Sequence, residues 1–142
     1  MGQQQLLLLV LGIVIVGLAV VVGIQAFGEN QKKANADALV NDAIRIASDA
    51  QAWKLKPAAF GGGGSLVGDA NFEGLEFEQL GYSVTDLKYV NLNGEFTMDA
   101  TDGGVTITGT NAQNENEVEV VVSGTAPEDI LTTVTNLVAA AP

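Results

Sequence analysis

The stretch richest in chemical spacing is Asp69-Ala70-Asn71-Phe72-Glu73-Gly74. Oxygen-bearing side chains at alternate positions, closed by a glycine, open a calcium loop, where carboxylate and amide oxygens surround a hard cation. Asp69, Asn71 and Glu73 are the candidate ligands. The twelfth position, where such a loop needs a bidentate glutamate, is Leu80, with Glu76 and Glu78 nearby. A looser calcium site therefore stands beside the plainer reading of a solvated acidic loop, and no other metal or cofactor is expected. The chain has no cysteine and no histidine. That removes disulfides, Cys/His zinc sites, thiol nucleophiles and imidazole acid–base catalysis. Gly61–Gly64 lacks a following Lys-Ser/Thr pair and no strand precedes it, so it is not a phosphate cradle. No nucleophile–base pair is visible, and the expectation is a protein that is not an enzyme.

The acidic loop sits in an acidic chain of formal net charge -11. Lys32, Lys33, Arg45, Lys54 and Lys56 precede Pro57 and only Lys88 follows it, while Asp and Glu dominate from Asp69 to Asp129. Phosphate backbones need a basic face, so nucleic acid is not an expected partner. The elements flanking the loop are legible. Before it, Ala36, Leu39, Val40, Ala43, Ala47, Ala50 and Trp53 repeat at helical spacing, with Ile44 and Ile46 beside them. Lys54 and Lys56 suit the negative end of that helix, and Pro57 stops it. The glycine run that follows reads as a flexible hinge. After the loop the period changes to two, predicting strands at Tyr82–Val90, Glu95–Ala100, Gly104–Thr110 and Glu117–Ser123. Asn93-Gly94 and Asp102-Gly103 are hairpin signals. One strand face is apolar, and the amphipathic helix is its natural cover. Thr125-Ala126-Pro127-Glu128 has the form of a capping box, and Ile130, Leu131, Val134, Leu137 and Val138 predict a short C-terminal helix.

All of this hangs from Leu6–Ile24, an uninterrupted apolar stretch without charge, hydrogen-bonding side chain or proline. It is long enough to cross a hydrocarbon core as a helix. No turn signal separates Ile24 from Gln25, so one helix is expected to run through to Lys56. Gly12, Gly17 and Gly23 weaken helix propensity and permit close helix approach. Lys32 and Lys33 follow the span and nothing basic precedes it. Taken as it stands, that asymmetry would keep the head in the cytoplasm, and removal of a basic leader resolves the conflict.

This architecture resembles a mature bacterial type IV pilin, most specifically over Met1–Ile24. The resemblance implies an α+β fold: a long N-terminal α-helix packed on a four-stranded antiparallel β-sheet, with a possible short C-terminal helix. Residues 1–24 would be an apolar helix, a membrane span in the precursor and filament core after assembly. Residues 25–56 would be the amphipathic helix packed on the head, 57–80 a glycine-rich variable loop, and 81–142 the sheet head. It further implies an inner-membrane precursor, cut by a prepilin peptidase and N-methylated at Met1. The assembly machinery would then extract it into a cell-surface homopolymer serving adhesion or motility. Gln5, Leu6, Leu9, Ile13, Val14, Val16, Val20 and Ile24 would form the assembly interface, and Gly12, Gly17 and Gly23 would mark helix able to melt in the filament. Gln5 departs from the family pattern, which carries glutamate there, and so keeps the hydrogen-bonding shape without the charge. Two alternatives share the handle: a minor pilin or secretion pseudopilin, and a membrane-anchored acidic binding module.

Overall fold

The computed structural model describes residues 2–135. A single α-helix, α1, runs from Gly2 to Leu55, 54 residues or about 81 Å at 1.5 Å each. It has no break at Ile24–Gln25, as its unbroken run of helix-compatible residues requires, and it ends just before Pro57. Its two halves meet different surroundings. The first buried residue is Ala36, followed by Leu39, Ala43, Ile46, Ala47, Ala50 and Trp53, each three or four residues from another of them. Ile46 joins this stripe, whereas Ile44 points away and is 37% exposed.

The stripe covers one face of an antiparallel sheet whose strands follow chain order: β1 (Val84–Thr85), β2 (Lys88–Val90), β3 (Glu95–Thr101), β4 (Gly104–Asn111), β5 (Asn116–Val122) and β6 (Ile130–Val134). The sheet thus has six strands where the sequence predicts four. One addition comes from Tyr82–Val90, which folds back on itself as the β1–β2 hairpin. Asp86 and Leu87 both take positive φ, at 51° and 64°, and pair Val84 with Tyr89. Alternation cannot announce such a turn, because leucine rarely adopts that conformation. The other addition corrects the expected C-terminal helix. Ile130–Val134 pairs with β5, matching Val122 to Ile130 and Val118 to Val134. Ile130, Thr132, Thr133 and Val134 are β-branched, and an open neighbouring edge turns that preference into a strand. Leu137 and Val138 lie outside the described residues.

Register sets the inner face. Phe96 lies opposite Gly109, and Gly109 opposite Val118; Met98, Ile107 and Val120 form the next row, and Ala100, Val105 and Val122 the third. A Cβ at Gly109 would sit 2.7 Å from Cε1 of Phe96, so this glycine makes room for the fully buried ring. The segment between helix and sheet adds Phe72, Leu75 and Phe77 to the same core.

The glycine run is not a loose hinge. Gly63 and Gly64 donate backbone N–H to the Trp53 and Lys56 carbonyls, both at 3.0 Å. The Trp53 indole donates to the Gly61 carbonyl at 3.1 Å. A Cβ at Gly63 would lie 2.7 Å from Cη2 of that indole, so glycine is required for close approach rather than for motion. Lys54 is buried and donates to the carbonyls of Gly63 and Leu66 at 3.3 and 2.9 Å. Its role is to tie the loop to the helix end, which a reading of helix dipoles does not supply.

Candidate assembly surface

Leu6–Ile24 stands clear of the head. Its large aliphatic side chains are between 50% and 69% exposed, and its most apolar window has a mean hydropathy of 3.2 with none of it buried. Among the described residues this is the one helix long and apolar enough to cross a membrane. Full burial of such a side chain is worth roughly 1.5–3 kcal/mol, and with a half to two-thirds of each still exposed, covering the stretch is worth on the order of 15–25 kcal/mol. That exceeds the net stability of a small domain, about 5–15 kcal/mol. An apolar surface of this size calls for an apolar cover that the chain itself does not supply.

Helical geometry groups the expected interface residues. Leu6, Leu9, Ile13, Val16, Val20 and Ile24 follow one another at spacings of three or four and fall on one stripe, the spacing that lets neighbouring helices interlock. Val14 lies off that stripe, and Gln5 stands exposed at its N-terminal end. Gly12, Gly17 and Gly23 are all α-helical in the isolated chain, and a Cβ at any of them would meet nothing within 4 Å. They leave room for a neighbour's backbone without being needed by the chain itself. Met1, the expected methylation site, lies outside the described residues.

The head is clamped to the other half of α1 at both ends. Near the apolar stretch, the buried Asn116 amide donates to the Lys32 carbonyl at 2.8 Å and to Asn35 Oδ1 at 3.0 Å. Asn35 and Asn111 both donate to the Asn93 carbonyl, at 2.9 and 2.6 Å. Asp42 accepts from the amides of Asn91 and Asn93 at 2.8 and 2.7 Å. At the far end, Gln51 donates to the carbonyls of Gly124 and Ala126, at 2.9 and 2.8 Å. Tyr82 donates to the Asp49 carboxylate. Burial first, then the neighbouring Asp49, push the Tyr82 phenol well above its ordinary range. Part-buried polar contacts thus tie the helix to the head at both ends. Sequence reasoning missed these asparagines, because an Asn in a turn looks the same whether it caps its own backbone or reaches a helix.

Two of the calcium candidates have hydrogen-bond partners of their own. Asp69 spends its carboxylate on Thr125, accepting from its hydroxyl at 2.6 Å and its backbone N–H at 3.2 Å. Those bonds, the hydroxyl's first, hold the Asp69 carboxyl below its ordinary pKa. Asn71 Oδ1 accepts the Glu73 N–H at 3.0 Å, a local Asx turn. No group of three or more His, Cys, Asp or Glu residues able to hold a metal occurs among the described residues. The predicted cap at Thr125 thus serves as a strap from the loop to the β5–β6 connection. The chain's likeness to known proteins adds nothing here: no protein-family model, no curated protein and no solved structure matches it.

Proposed function

We propose that this chain is the structural subunit of a helical filament of the type IV pilin kind. It is held in a membrane by Leu6–Ile24 before assembly and packed through the same helix afterwards. The observation that carries the reading is the two-environment helix: one continuous rod whose first half is bare and apolar and whose second half is the spine of an acidic head. A plain tether would need only the span. A filament subunit needs, in addition, a rigid connection between span and head, and the buried asparagine and Gln51 contacts supply it. Because lipid is as apolar as the neighbouring helices, transfer out of water cannot drive assembly, and close packing along the stripe must. Identical subunits, a prepilin peptidase and the assembly machinery are the partners of this reading, and its place is the cell surface. Its role is structural rather than catalytic, with Gln5 offering an uncharged hydrogen-bonding contact at the stripe's end.

The test is direct. Surface filaments sheared from producing cells are imaged by electron microscopy and identified by peptide mass spectrometry. Thin filaments composed mainly of this chain are expected. A chain that stays as monomer in the membrane fraction, with no filaments, would replace this reading with that of an anchored binding module.

A further inference from the structure

Below the head, α1 carries an aromatic that nothing covers. Phe27 is 65% exposed, three residues past the end of the apolar stretch, and Gln25–Lys33 holds Glu29 against Lys32 and Lys33, a net positive charge in an acidic chain. On the side of the head, a cavity of about 310 Å³ opens between Gly74–Glu78 and the β1–β2 hairpin. Leu75, Phe77, Val84, Leu87, Met98 and Ala100 make its apolar walls, and Glu76 and Glu78 line it with no cation among them. Leu87, held at the hairpin tip in positive φ, is 86% exposed.

Phe77 in the cavity wall packs edge to face on Tyr82, which donates to Asp49 of α1. Phe27 precedes Asp49 by 22 residues of unbroken helix, about 33 Å. We propose that the cavity receives Phe27 of a second, parallel copy displaced by about that distance along the helix axis, with the copy's Lys32 and Lys33 beside Glu76 and Glu78. An apolar ring flanked by cations matches an apolar cavity flanked by carboxylates, which fixes both partner and register. The contact joins two different surfaces and carries an axial displacement, so it repeats without closing into a ring, as a filament requires. It rests on the filament reading and adds to it a stagger and a lateral partner.

The absence of cysteine makes the test clean. Filaments carrying Phe27→Cys together with Leu87→Cys are oxidised and run on a non-reducing gel. A ladder of linked multimers is expected, while Phe27→Cys with Leu131→Cys, on strand β6 at the opposite sheet edge, stays monomeric. Wild-type filaments without a ladder from the Leu87 pair, or with an equal ladder from the Leu131 pair, overturn the contact and leave the filament reading standing. Absence of wild-type filaments overturns both. Should the cysteine pair block assembly, charge exchange decides. Lys33→Glu and Glu78→Lys are each expected to lower filament yield roughly three- to tenfold, and the double variant to restore it. Failure of the double variant to recover overturns the contact.

Discussion

Val14→Asp separates the two halves of α1 most sharply. Val14 sits in the middle of Leu6–Ile24, is 52% exposed in the isolated chain and touches no part of the head. The first buried residue of the helix, Ala36, is 22 residues away, about 33 Å along the axis. A carboxylate at the centre of a membrane helix raises the insertion free energy by about 2.5–3.5 kcal/mol. In a dry helix bundle an uncompensated charge costs about 3–5 kcal/mol. The first figure lowers the supply of membrane-inserted subunits by roughly a hundredfold, and the excess of the second over the first, about 0.5–1.5 kcal/mol, lowers assembly from the membrane by a further factor of about two to ten. The head, by contrast, should not respond. A surface change is worth within about 0.5 kcal/mol, which for a domain of this size moves Tm by about 2–4 °C at most. Both halves can be read on one sample. Trp53 is the chain's one tryptophan and is buried against the glycine loop, so its fluorescence during heating of detergent-solubilised subunits reports the head alone. Filament yield reports the handle. The expected result is lost filaments with an unchanged tryptophan melt. Normal filament yield would refute the burial of this segment in a filament core. A large fall in the melt would refute the independence of the two halves.

Gly63→Ala should act in the opposite sense. The added methyl meets the Trp53 indole, and overpacking of this kind costs about 1–3 kcal/mol, seen as a lower melt in the same fluorescence assay. An unchanged melt would mean that the loop yields freely. The Tyr82 phenol gives a pH signature. Its folded pKa is raised above the unfolded value of about 10, so the protonated, buried form stabilises the head below that pH, and the contribution is lost as pH rises beyond it. Denaturant titrations above pH 10 should show stability falling, and Tyr82→Phe should flatten that fall; an equal slope in both proteins would place the titration elsewhere.

Read one residue type at a time, the chain discloses its largest features. The apolar stretch, the continuity of the helix past Ile24, the stop at Pro57 and the core stripe from Ala36 to Trp53 are local patterns, because a helix shows its periodicity within a few turns. The alternation of Phe96, Val105, Val118 and their neighbours likewise marks which strand face is buried before any partner is known. What those patterns leave open is set by contacts between distant residues. Whether Ile130–Val134 becomes helix or strand depends on the free edge of β5 lying beside it, a fact about position rather than sequence. Whether Gly61–Gly64 is slack or tight depends on an indole packed over Gly63, and the partner that Asp69 finds is Thr125, fifty-six positions away. The cavity behind Leu87 exists only because the β1–β2 hairpin and Gly74–Glu78 come together. Periodicity reports how a segment divides apolar from polar surroundings. It carries no information about which other segment supplies them, and that choice is made by the packing of the whole chain.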